Sequence, residues 1–322
     1  MNNYCYKRKG VSLILILFWL ASSHVGFTQD VQQVSPFFLP RVIVAPGTYY
    51  ILTQGSSRFL ESKFNISPGI LTDSSIVIYE FFPSQGAFKV VARSGFVRHF
   101  YGATYYKDRI IIAGGYNASG VPTNTVYEFN LNTRRWNERT LGMLQKRAEF
   151  ALEICSNKLY AVYGDDRGTL ETFNEATGKW QVVPLSFSQE AKPLKKVRSS
   201  VAIDNNIYLF ADGGDFQVLN VSTSNVSKGV QPPAQISYFS TIVYNRKIYM
   251  AAGADKSGLD YNVYVLNTVD NSWQNAGRIS VDLCGAGLVC HGRMLIFVGG
   301  SSTTMFEKTN PSGSIFIYRP MY

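Results

Sequence analysis

The fold is decided by residues 98–136, RHFYGATYYKDRIIIAGGYNASGVPTNTVYEFNLNTRRW. A short apolar run ends in a turn at Lys107-Asp108. A second run, Arg109–Ala113, closes on Gly114-Gly115, and after a polar loop a third run leads through Asn130 and a turn to Trp136. Runs of about five residues rich in Ile, Tyr, Val and Phe, separated by turn residues, are strand signals. Four of them fall within 40 residues, so the stretch is expected to be a four-stranded antiparallel sheet.

The same unit recurs along the chain. Apolar runs end at Gly115, Gly164, Gly214, Gly253 and Gly300, with spacings of 49, 50, 39 and 47 residues, and YYILTQG ends 60 residues earlier at Gly55. A glycine precedes the marker at Gly114, Gly213 and Gly299. After each glycine an apolar residue stands seven positions before an aromatic: Phe81 and Phe88, Phe129 and Trp136, Phe173 and Trp180, Leu266 and Trp273. Leu219 and Val226 keep the spacing without the aromatic. Asn130, Asn174, Asn220 and Asn267 follow the first member of four pairs, as a tight turn between strands demands. An arginine opens several units: Arg98 and Arg147 lie 17 residues before their glycine, Arg198 lies 16 before Gly214, and Arg41 lies 14 before Gly55.

These three markers together resemble the Kelch repeat, whose period is about 50 residues. The resemblance runs over roughly residues 41–318 and implies an all-β, six-bladed Kelch-type β-propeller. Blades are expected near 41–92, 98–140, 147–183, 198–230, 236–276 and 282–318. In such a fold Gly114, Gly115, Gly164, Gly213, Gly214, Gly253, Gly299 and Gly300 let backbone turn and pack closely, and Trp136, Trp180 and Trp273 wedge between neighbouring sheets. The sixth unit lacks chain for a fourth strand, so residues 31–39 (VQQVSPFFL) are expected to supply it and close the ring, leaving no open sheet edge. The copies are uneven: the first has Phe88 for the tryptophan, the third keeps Gly164 alone, the fourth lacks the tryptophan, and the fifth reads Ala252-Gly253.

At 322 residues, with 46% hydrophobic and 16% charged residues, the chain can bury a large core and has no disordered composition. Its start reads as a secretory signal: Lys7, Arg8 and Lys9 precede the apolar run Val11–Ala21, too short to span a bilayer, and small residues follow. Cleavage is expected between 23 and 29, with a signal-anchor as the competing interpretation, and residues 29–322 would form the exported domain. Removing 1–28 takes three basic residues from 31, leaving 28 against 22 acidic, a net charge of about +6. Cys155, Cys284 and Cys290 remain, an odd number that suits buried small hydrophobes better than a disulfide framework. Asn65, Asn117, Asn220 and Asn225 open N-x-S tripeptides and are glycosylation candidates.

The resemblance places binding on one face, formed by loops between second and third strands and by links between blades. Basic residues crowd those segments, and Arg58, Arg98, Arg147, Arg167, Arg198 and Arg278 are the expected ligand contacts, their planar forks matching carboxylates or sulfates. The expected partner is a protein segment or an anionic glycan rather than nucleic acid, and the function is a secreted, non-enzymatic interaction protein with no cofactor. The alternative is an extracellular propeller enzyme acting on carbohydrate. A galactose oxidase-like copper site needs a histidine pair, and His99 and His291 should lie at opposite ends of their sheets. G-x-S-x-G, P-loop and H-E-x-x-H motifs and sialidase-type S-x-D-x-G-x-T-W turns are missing from the sequence.

Overall fold

A computed structural model describes residues 39–66, 71, 73–188, 190–304 and 315–318. Six sheets follow one another along the chain, each a meander in which sequence neighbours pair antiparallel. The first sheet holds Arg41–Ala45, Thr48–Leu52, Val77–Phe82 and Ala87–Arg93, and the second Gly102–Tyr106, Arg109–Ala113, Val126–Asn130 and Arg135–Glu138. The third holds Ala151–Cys155, Lys158–Val162, Leu170–Asn174 and Lys179–Val183. The fourth holds Ser199–Ile203, Asn206–Phe210, Phe216–Asn220 and Asn225–Lys228, and the fifth Ser240–Tyr244, Lys247–Ala251, Asn262–Asn267 and Ser272–Arg278. In the sixth, Gly287–His291, Met294–Val298 and Ile315–Tyr318 are described.

The first strand of every sheet touches the first strand of the next, and the sixth returns to the first. The molecule is therefore a closed six-bladed β-propeller whose inner strands ring a central channel. Between adjacent blades lies an apolar layer, and the layer joining the last blade to the first contains Ile51, Val77, Phe81, Val289, Ile296 and Val298. The ring thus closes through its core as well as through any outer strand. Residues 31–38 of the expected closing strand lie outside the described residues. Leu39 does not belong to an outer strand, because it packs at the channel mouth with Leu60 and Phe64.

The sequence markers have direct geometric meanings. The seven-residue spacing joins cross-strand partners: Phe81 faces Phe88, Phe129 faces Trp136, Phe173 faces Trp180, Leu219 faces Val226, and Leu266 faces Trp273. The turn asparagines accept backbone N–H bonds, as when Asn130 Oδ1 takes those of Asn132 at 2.9 Å and Thr133 at 2.8 Å. Trp136 Nε1 donates to the Arg93 carbonyl at 2.9 Å and Trp273 Nε1 to the Val230 carbonyl at 2.8 Å, so each tryptophan fastens its blade to the preceding link. Gly115 has φ +83°, and a Cβ there would stand 2.7 Å from the His99 carbonyl oxygen. Side chains are excluded by both conformation and space.

Three loops carry unexpected structure. Ser186–Phe187, in the link from the third blade, pairs parallel with Asn225–Val226 as a fifth strand of the fourth blade. Gly253–Asp255 and Gly258–Asp260 form a small hairpin. The long loop of the first blade contains a six-residue helix, Arg58–Lys63, whose Ser57 cap accepts from Leu60 N.

Candidate functional site: the channel mouth

Loops between second and third strands share one face with the links between blades. Bridges His99–Tyr116, Thr123–Arg147, Ser237–Ala254 and Cys284–Ser301 tie each pair of segments together. A recurrent backbone turn shapes the mouth. Leu39, Phe100, Glu149 and Tyr238, each two residues before an inner strand, all have φ between +43° and +56°, and Gly285 at the equivalent place has +67°. Left-handed conformations in bulky residues carry strain and persist only where surroundings enforce them. Here the side chains of Leu39, Phe100 and Tyr238 meet in one cluster with Leu60, Phe64, Ile66, Ala254 and Cys284. The helix of the first blade is therefore seated on the mouth as an apolar plug.

Lys63 closes this plug electrostatically. Its Nζ sits 4.4 Å from the centroid of Phe100 and 5.2 Å from that of Tyr116, with Phe59 and Phe64 slightly farther away. Glu149 is the counter-charge, 3.5 Å from Lys63 and 2.8 Å from Lys196, and it accepts from the Tyr116 hydroxyl at 3.0 Å. Burial pushes the Glu149 carboxyl up, but the bond from Lys196 and the charges of Lys63, Lys196 and Arg198 outweigh it and hold it below the usual carboxylate range. Burial lowers Lys63, with Glu149 opposing. His99 is fully buried beneath, its Nε2 2.7 Å from the Ser57 hydroxyl and its Nδ1 without a partner among the described residues. Burial first, then Arg98 and Lys63, lower its pKa to about 4, so the imidazole is neutral at pH 7.

The six arginines named from the sequence divide into two groups. Arg147 has no exposed surface, and its guanidinium donates to Glu171 at 2.7 Å, to the Thr169 hydroxyl at 2.7 Å and to the Tyr163 carbonyl at 2.6 Å. Arg98 is also buried, donating to the Val97 carbonyl at 2.7 Å and the Thr125 hydroxyl at 2.9 Å while stacking against Phe96 and Tyr127. Arg198 is half-buried, grips Asp212 with both ends of its fork at 2.9 and 2.6 Å, and lies over Tyr238. Each of the three expected ligand contacts is engaged within the protein, fastening its blade's own second-to-third-strand loop, while Nε of Arg98 and of Arg147 has no partner among the described residues. Arg58, Arg167 and Arg278 are exposed. Arg58 and Arg167 have no charged partner among the described residues, and Arg278 lies 5.7 Å over Tyr261.

The face also exposes Val121, Leu141 and Leu144. Leu144 N and Gln145 N donate to Glu171, which ties the loop bearing both leucines to the third blade. Among glycosylation candidates, Asn65 and Asn225 are exposed, while Asn117 and Asn220 accept backbone bonds within their own turns. His291 stacks edge-on against Tyr49, in a hairpin at the opposite end from His99. Cys155 and Cys284 are buried and Cys290 half-buried, and none of the three forms a disulfide among the described residues.

Sequence reasoning passed over Phe100, Glu149, Tyr238 and Lys63 as a constellation, because they come from four separated segments. The arginine marker offered one signal, since Phe100 and Glu149 each stand two residues after a repeat-opening arginine.

The Kelch motif matches residues 98–139. Kelch repeat and BTB domain-containing protein 2 of cowpox virus is 30% identical over 88 residues, 26% of this chain and 16% of the viral protein. Kelch-like protein 40 of Xenopus tropicalis is 28% identical over 112 residues, 31% of this chain and 18% of that protein. The chain thus matches under a fifth of these relatives' length. Among solved structures, that of YjhT superposes with a TM-score of 0.65 at 13% identity, covering 88% of this chain and 94% of the other. Repeat markers, motif match and closed ring agree: the chain is a Kelch-repeat β-propeller.

Proposed function

We propose that the protein is a secreted, non-enzymatic interaction module that binds an acidic protein segment on its loop face. The observation carrying this is the rim around the sealed mouth, where exposed Arg58, Arg167 and Arg278 and exposed Leu141 and Leu144 surround a centre filled by the chain's own Phe100, Leu60 and Lys63. A filled centre favours an extended partner lying across the rim over a small substrate entering a funnel. Exposed leucines beside unpaired cations suit a peptide with both acidic and apolar residues. The basic, apolar and small-residue order at the N-terminus supports export.

Immobilised acidic peptides and a sulfated glycan, tested across a salt series, discriminate the possibilities. Acidic peptides should be retained in a salt-dependent manner, and reversing Arg58, Arg167 and Arg278 together to Glu should abolish retention. Replacing Leu141 and Leu144 with Ser should weaken peptide binding at least several-fold while leaving glycan binding unchanged. Retention of the glycan alone would reassign the partner. Retention that ignores both salt and charge reversal would overturn the basic-rim proposal.

A further inference from the structure

Directly inside the mouth, the first residues of the inner strands of all six blades line a cavity of about 100 Å³. By the volume of liquid water this is room for about three waters. Its lining is mostly polar and includes Arg41, Glu153, Ser199, Ser200 and Thr241. Arg41 opens the inner strand of the first blade, and its guanidinium makes no hydrogen bond or ion pair among the described residues. A half-buried cation without an ion pair is costly, and burial lowers its pKa, with Tyr101, Glu153 and Glu149 opposing from a distance.

The neighbouring groups do not supply that counter-charge by contact. Glu153 is farther than ion-pair distance from Arg41 and accepts instead from the Ser200 hydroxyl at 2.6 Å. The Ser199 hydroxyl oxygen accepts from Thr241 N at 3.2 Å and lies 2.8 Å from Thr241 Oγ1. Either hydroxyl can donate in that pair, and with Ser199 donating the Thr241 proton is left for a guest. The cavity thus presents a planar two-pronged donor, a hydroxyl donor and a carboxyl group in a space of a few heavy atoms.

We propose that the upper channel is a binding site for a small planar carboxylate of formate or acetate size, held by both prongs of Arg41 with Thr241 as a third donor. This is separate from the rim and does not depend on the partner proposed for it. Glu153 sets the pH range. Burial raises its carboxyl to about 7, with the Ser200 bond and Arg41 opposing. The charged and titratable groups around it and Arg41 are Tyr101, Glu149 and Arg198. Below pH 7 the neutral carboxyl can donate a hydrogen bond to the guest, and above it a second negative charge repels the guest.

The test is a titration of the folded full chain with ¹³C-formate, read by formate line broadening, at constant ionic strength maintained with bulky glutamate. Saturable broadening, displaced by acetate and weaker at pH 8 than at pH 6, is the expected result. Arg41→Gln should abolish it, Arg41→Lys should weaken it about tenfold by losing the fork, and Thr241→Val should weaken it several-fold. Circular dichroism checks that each variant is folded, and the lysine and valine variants decide the matter if the glutamine variant is not. Broadening that does not saturate, that glutamate displaces equally, or that survives in the folded Arg41 and Thr241 variants would overturn the proposal.

Discussion

The second and third blades place the same backbone around an arginine and solve its burial in opposite ways. Arg98 and Arg147 occupy equivalent positions, and each donates to a threonine at the entrance to its third strand, Thr125 or Thr169. Two positions further on the blades differ: Tyr127 in the second, Glu171 in the third. Arg98 therefore lies against aromatic faces and neutral oxygens. Arg147 faces fully buried Glu171, with Asp165 at 3.5 Å, and Glu171 also takes the backbone N–H groups of Leu144 and Gln145. One blade neutralises its cation by polarisable surface, the other by charge. The repeat keeps a place for the guanidinium, while its counter-group is local.

Removing the cation should separate the two blades most sharply. Arg147→Ala leaves Glu171 buried without its counter-charge and should cost about 3–5 kcal/mol. Arg98→Ala abandons only neutral acceptors and stacking, and should cost about 1–3 kcal/mol. Urea unfolding of both variants measures the gap, and equal losses would show that Glu171 contributes nothing beyond Thr169.

A pH difference comes next. His99 follows Arg98, whereas Ala148 follows Arg147, so only the second blade carries a titrating group here. Its pKa falls from about 6.5 unfolded to about 4 folded, so the unfolded state binds the extra proton in that window. Stability present above pH 6.5 should be lost as pH falls toward 4, by up to about 3 kcal/mol. Glu153 acts in the other direction, because its raised folded pKa removes stability as pH rises from 4.5 to about 7. Replacing His99 with Gln should therefore flatten the acid limb and expose the Glu153 trend. Melting midpoints between pH 4.5 and 7 that keep the wild-type slope would refute this.

The smallest effect concerns the tryptophans. Trp136 Nε1 donates to the Arg93 carbonyl, whereas the buried Trp180 Nε1 has no partner among the described residues. Trp136→Phe should cost about 1 kcal/mol more in lost hydrogen bonding than Trp180→Phe, which removes an unsatisfied donor. Chemical denaturation of the two variants resolves the difference. A larger loss at Trp180 would mean that ring volume, rather than the indole N–H, dominates both positions.

Much of the fold was legible because its signals are local. Turn asparagines, glycine doublets and seven-residue cross-strand pairs lie within single hairpins, so spacing along the chain maps directly onto register. Even so, Tyr163 takes φ +61° where the second blade has Gly114. Its hydroxyl donates to Gln217 at 2.9 Å in the next blade, a contact that accounts for a tyrosine in a glycine's conformation. The mouth was less legible. Sequence distinguished basic loops from the rest, but treated Arg98, Arg147 and Arg198 like Arg58, Arg167 and Arg278, since nothing in an arginine's neighbours in sequence tells whether a carboxylate 24 residues away will meet it.

By itself the sequence determined the repeated hairpin, the number of blades and the places where backbone must turn tightly, because period-two patterning and turn chemistry act over a few residues. Only tertiary structure decided which charges remain free. Closing six blades into a ring brings Lys63, Phe100, Glu149 and Tyr238 to one mouth and Arg41, Glu153 and Thr241 to one cavity, although they are widely separated along the chain. Burial and pairing are properties of that convergence, and they turn three arginines into internal fasteners while leaving Arg41 half-buried without an ion pair among the described residues.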